Sequence, residues 1–179
     1  MPLAFPSHQG LIAPLWRRWP HRFDALACCV GAAAPDIVDA LVGIARGHLG
    51  QGYGHSLIGL FALCVPLGLV VNAGIRATAL RFGWKRIHGA TKPSLAIEVW
   101  SLWVGALSHA VFDFISHENF LWLYPWYENR EFFPLWWRER WLEVALPFYA
   151  APYPIGPHFA VWMILNVVGA LMFLPSLKR

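Results

Sequence analysis

Residues 57–75, LIGLFALCVPLGLVVNAGI, run for nineteen positions without a charged side chain. A helix of that length reaches roughly 28 Å at about 1.5 Å per residue, close to the ~30 Å hydrocarbon thickness of a bilayer. Two further stretches read as spans, 158–175 without a charge and 95–116 broken only by Glu98 and the polar residues near its end, and the first run extends as a helix over 57–80. The chain is 58% hydrophobic and only 13% charged, against about 25% charged in soluble domains. The fold class that follows is all-α, a polytopic membrane helix bundle in one domain, with Pro66 a point of kinking that a bundle tolerates.

The N-terminal part is less regular. HQGLIAPLW (8–16) and FDALACCVGAAAPD (23–36) are apolar but short, and they read as a helical hairpin over 8–36 whose tip is the basic RRWPHR (17–22). Nothing before Ala4 has the basic character of a cleaved signal peptide. Of the three cysteines, Cys28 and Cys29 are adjacent and Cys64 lies in an oily run, so no CxxC redox or thiolate metal motif is present.

Basic residues set the expected orientation. Arg17, Arg18 and Arg22, then Arg81, Lys85, Arg86 and Lys92, then Lys178 and Arg179, fall at one set of helix ends, which is expected to face the cytoplasm. The other set carries Arg46 and the segment 117–157, where arginines mix with Glu118, Glu128, Glu131, Glu139 and Glu143. Five crossings follow, with 117–157 an external loop. Its WLYPWYENREFFPLWWRERWLE is dense in Trp, Tyr and Arg, the composition of a segment lying at the membrane–water interface. The formal charge of +4 is scattered through these short clusters, which fits topology and argues against a nucleic-acid partner.

On this path the polar residues gather. His8 opens the hairpin, Asp36 closes it, His55 precedes the span at Leu57, and His109, Asp113 and His117 occupy the last turns of 95–116 and the residue beyond it. All fall at the same, external, end. Steps of four on a helix advance by about 40°, so His109, Asp113 and His117 share one stripe. A carboxylate near lipid is costly unless it faces the interior with a partner, and a divalent cation satisfies two imidazoles and a carboxylate together. Nitrogen and carboxylate oxygen without thiolate suit Zn²⁺, and also Mn²⁺ or Fe²⁺. Asp39, one turn past Asp36, is either a partner behind the ligands or a loop carboxylate. His21, His48, His88 and His158 read as solvated or interfacial, and Ser56 as a helix N-cap.

At these residues a resemblance enters. PSHQGLIAPLWRR, APD, GHSLIGLFALCVPLGL and GALSHAVFDFISHE resemble the bacterial membrane family called domain of unknown function 4184. That family is similar in turn to membrane-bound metal-dependent hydrolases and, more distantly, to zinc-dependent phospholipase C. The resemblance implies that Asp36, His55, His109 and Asp113 hold a first ion. It implies that His8 shares a second with Asp113, and that the activity is hydrolytic. The phospholipases carry a further His and an HxxxE motif downstream of the HxxxD helix, and no HxxxE follows here. His117 stands in for part of that set, and Glu118 beside it is the candidate general base. The expectation is therefore a bacterial inner-membrane hydrolase with one or two metal ions, zinc first, acting on a lipid or phosphoester at the external face. The alternative is a non-catalytic metal-binding or transport-accessory protein.

Overall fold

Polar breaks in oily helices, rather than the helices themselves, give this bundle its shape. The computed structural model describes residues 6–47, 52–84, 93–116, 122–124, 126, 134–147 and 152–177. Its helices are α1 (Ser7–Arg18), α2 (Ala25–Gly31), α3 (Ala34–Arg46), α4 (Leu57–Arg81), α5 (Leu95–Ser116) and α6 (Pro157–Leu177). Ala25–Arg46, Leu57–Arg81, Leu95–Ser116 and Pro157–Pro175 are each long and apolar enough to cross a membrane. The 12 residues of α1 reach about 18 Å and fall short of a full crossing.

The second apolar stretch does not end at Asp36. The helix restarts after a break at Ala32 and Ala33 and runs on to Arg46, where Gly47 at φ 79° takes the left-handed cap. Pro35 is the cause of the break: it has no N–H to donate back to the turn before it, yet it is well suited to the first turn of a new helix. Asp36 therefore sits mid-way along a broken span, in the first turn of α3. Pro66 acts similarly in α4, where Leu60–Cys64 widens into a π-turn just before it.

Close backbone contacts hold the helices together. A Cβ on Gly31 would strike the Leu102 carbonyl, and one on Gly105 would strike the Cys28 carbonyl, so α2 and α5 touch backbone to backbone. Lipid offers no hydrophobic drive between helices, so such small-residue contacts carry the association. Ala34, Val38, Leu60, Cys64, Ala106 and Ala110 form one buried cluster between α3, α4 and α5. Cys28 and Cys64 are buried free thiols within the packing.

Part of the expected external loop is ordered structure. Leu135–Arg138 forms a 3₁₀ turn, and Leu142–Val144 (β1) pairs antiparallel with Tyr153–Ile155 (β2), Glu143 opposite Pro154. Leu135, Trp136, Trp141 and Leu142 are all exposed on this arm.

A second polar group joins α2, α4 and α5 near the ends of α4 and α5 that carry Arg81 and Leu95. Arg76 Nη2 donates to both oxygens of Asp24 at 2.8 Å. Asp24 also caps α2 by accepting from Ala27 N at 2.8 Å, and its own N–H donates to Ser101 Oγ at 2.9 Å. The Asn72 amide donates to Glu98. Eleven residues of α5 separate Glu98 from His109, about 16 Å. Asp24→Ala removes a cap and half of a mostly buried ion pair, a cost of about 3 kcal/mol. The thermal midpoint in detergent should fall while metal content stays that of the wild type. Loss of metal in this variant would contradict the separation of the two polar groups.

Candidate metal centre

Four helix segments each deliver one piece of the polar cluster. Asp36 lies in the first turn of α3, where the helix dipole favours a carboxylate. His109 and Asp113 lie one turn apart on the buried face of α5. His8 occupies the first turn of α1. His55 ends the 3₁₀ turn Tyr53–His55, and Ser56 caps the start of α4 by accepting from Gly59 N at 3.0 Å.

The turn carrying His55 is fixed by Asp39. That carboxylate accepts from Gly52 N at 2.7 Å, from Gly54 N at 2.6 Å and from His55 Nδ1 at 2.7 Å. Gly54 has to be glycine, because a Cβ there would strike the Pro35 carbonyl and the Asp39 carboxylate.

The two buried imidazoles are oriented from behind. His109 Nδ1 lies 2.7 Å from the Ala32 carbonyl, which can only accept, so Nδ1 carries the proton. The break between α2 and α3 is what leaves that carbonyl outside the helix ladder. His55 Nδ1 is held in the same way by Asp39 Oδ2. Both Nε2 atoms then turn to one point, 3.2 Å apart. Backing of the outer ring nitrogen by a carboxylate or carbonyl is the arrangement that sets a metal-binding histidine.

Two carboxylates complete the set. Asp113 Oδ2 is 3.1 Å from His55 Nε2 and 3.4 Å from His109 Nε2. Asp36 Oδ1 is 3.7 Å from His55 Nε2 and 3.6 Å from His109 Nε2. One donor atom from each of these four residues lies within 4.8 Å of all the others. A tetrahedral ion with bonds of about 2.0–2.1 Å has ligand–ligand edges of about 3.3–3.4 Å, so the spacing fits one ion at the centre. The other oxygen of Asp113 faces His8 Nε2 at 3.5 Å, and the His8 ring stacks on His109 with centroids 4.0 Å apart.

Charge points the same way. Asp36 and Asp39 have imidazoles and backbone amides as partners, with no lysine or arginine among the described residues. Burial pulls the His55 pKa down, but hydrogen bonds to Asp113 and Asp39 and the charges of Asp113 and Asp36 outweigh it and raise it to about 10. Three carboxylates thus lie among three imidazoles, and a divalent cation could take the place of the imidazole protons.

The structure thus brings His8, Asp36, His55, His109 and Asp113 together. His117 and Glu118 lie outside the described residues. His158 does not join the cluster and is not solvated: it is buried, and its Nε2 donates to the Pro154 carbonyl at 3.2 Å. His21 is exposed. Asp39 proves to be a partner behind the cluster rather than a loop carboxylate. The GYGH spacing, with glycine before histidine, was its one trace in the sequence.

Comparison with known proteins gives one match. The model of the family described as YdjM inner membrane protein matches residues 8–177. No curated protein and no solved structure matches.

Asp113→Asn should empty the centre of metal, measured by elemental analysis of purified protein. Asp39→Asn, one residue removed, should keep the metal but weaken its binding by about 10- to 100-fold, the usual effect of a supporting partner. Wild-type protein without metal would identify a hydrogen-bond network without an ion, and full retention in both variants would remove Asp113 from the ligand set.

Proposed function

The chain belongs to the YdjM inner membrane protein family, and from the geometry of its polar cluster we propose that it is a membrane-bound metal-dependent hydrolase. Asp36, His55, His109 and Asp113 hold a divalent ion, zinc by the nitrogen and oxygen character of the donors. The observation that carries the reading is the pair of imidazoles locked from behind at Nδ1 and facing two carboxylates at Nε2. A cation there lowers the pKa of a bound water to roughly 7 and stabilises charge on an ester or phosphoester oxygen. His8, beside the second oxygen of Asp113, helps to hold a second ion or to place the water. The likeness of the Asp…His…HxxxD order to metal-dependent membrane hydrolases and zinc-dependent phospholipase C supports this assignment. Glu118 is its candidate base.

The substrate is a lipid or lipid-linked phosphoester reached from the external leaflet. Two features support that choice. The basic clusters at Arg17, Arg18, Arg22 and Arg81 fall at the helix ends remote from the centre. The exposed Leu135, Trp136, Trp141 and Leu142 lie on an arm outside the spans, where large apolar side chains rest in the interface.

A second reading has its own observation. Four protein donors at near-tetrahedral spacing make a closed set, as in structural zinc sites, whereas catalytic zinc keeps one position open. Asp36 is the donor able to yield a position, since it has the longest separations and its side chain retains 11% exposure. Turnover separates the two. Zinc-loaded protein is incubated with phosphatidylethanolamine–phosphatidylglycerol vesicles and with p-nitrophenyl phosphate, and the products are followed by mass spectrometry and absorbance. The hydrolase reading expects cleavage that falls to background in His109→Gln. Full zinc occupancy with no cleavage of either probe would favour the closed, non-catalytic site.

A further inference from the structure

We propose that a small cavity between α1, α5 and α6 is a water site serving the metal centre, with Trp162 and Asn166 of α6 as its positioning residues. The inference rests on the metal-centre reading above and adds a helix that carries no motif. The cavity has room for about one water-sized group. Ser7 and His8 from α1, Ser116 from α5, and Trp162 and Asn166 from α6 lie in its lining, although most of the surface facing the cavity is apolar. His8 belongs to both places, because its Nε2 is 3.5 Å from Asp113 Oδ1. One side chain therefore separates the cavity from the carboxylate assigned to the ion.

The chemistry of the wall selects the ligand. The Trp162 indole N–H is buried and meets no acceptor among the described residues. Such an orphan donor costs about 1–3 kcal/mol unless a ligand oxygen receives it. Asn166 donates its amide N–H to the Trp162 carbonyl at 2.7 Å, so its Oδ1 is left as an acceptor. The serine hydroxyls serve in either sense. A wall that both donates and accepts suits water, while an anionic oxygen would be repelled by the Asn166 carbonyl. The volume excludes a phosphoryl or acyl group.

Packing explains how α6 reaches this position. A Cβ on Gly10 would strike the Gly169 carbonyl, and one on Gly169 would strike the Ser7 carbonyl, so α1 and α6 meet backbone to backbone. Trp162, Asn166 and Gly169 recur at steps of four and three, on one stripe of α6. The contact that clamps the helices thereby sets Trp162 and Asn166 against Ser7 and His8. Each hydrolysis consumes one water: its oxygen bonds to the acyl or phosphoryl carbon or phosphorus, the ester bond breaks, and a proton goes to the leaving oxygen. A water held beside His8 is the replacement nearest to the ion.

The test uses full-length protein in detergent, loaded with Mn²⁺ and exchanged into heavy water. Pulsed electron paramagnetic resonance reads the exchangeable deuterons around the ion, and elemental analysis reads the metal. Trp162→Phe and Asn166→Leu each remove one of the two to four partners a buried water needs, so the weakly coupled deuteron signal from outside the coordination shell should be lost with Mn²⁺ content unchanged. Asn166→Asp, which keeps an acceptor, should retain the signal. Full metal with an undiminished signal in Trp162→Phe and Asn166→Leu overturns the water site and leaves the metal centre standing. A loss in Asn166→Asp equal to that in Asn166→Leu overturns it too. Absence of bound Mn²⁺ in the wild type would remove both readings together.

Discussion

Three carboxylates and three imidazoles inside an apolar bundle are the constraint on which the rest of this structure depends. Asp36, Asp39 and Asp113 carry negative charge into a region where an uncompensated ion costs several kcal/mol. Each is therefore surrounded by donors. Asp39 takes two backbone amides and an imidazole, Asp113 faces His55, His109 and His8, and Asp36 faces the same two central imidazoles. In the proposed reading a divalent ion at the shared point would complete the compensation.

The backbone is shaped to allow that convergence. Pro35 interrupts the span Ala25–Arg46, and the interruption frees the Ala32 carbonyl for His109 while it puts Asp36 at a helix start. Gly31 and Gly105 let α2 and α5 approach closely enough for that bond to form, and Gly54 lets the turn before α4 press onto α3. These positions lie in the packing rather than among the donors, yet a larger side chain at any of them would move a donor. The Asp24–Arg76 pair braces α2 and α4 at the level of Ser101, eight residues of α5 and about 12 Å from His109.

Much of this was legible in the chain, for identifiable reasons. Long apolar runs with few charges announce α4, α5 and α6. The alternation of helix ends then brings His8, His55, His109 and Asp113 to one side, whereas Asp36 joins them from the middle of a broken span. Pro35 misleads, because a proline after an apolar run reads as a stop and here it restarts a helix that continues to Arg46. The sheet at Leu142–Val144 and Tyr153–Ile155 is too short to show a period. Trp162 and Asn166 were silent as well, since an isolated amide in an oily helix has no spacing partner and its neighbours on α1 are remote in sequence.

The central claim is that one divalent ion sits among Asp36, His55, His109 and Asp113. X-ray absorption at the zinc edge of the purified, zinc-loaded protein addresses it most directly. The account predicts two imidazole nitrogens and two carboxylate oxygens at about 2.0–2.2 Å and no sulfur. A shell containing sulfur at about 2.3 Å, or a hydrated ion without imidazole scattering, would contradict it.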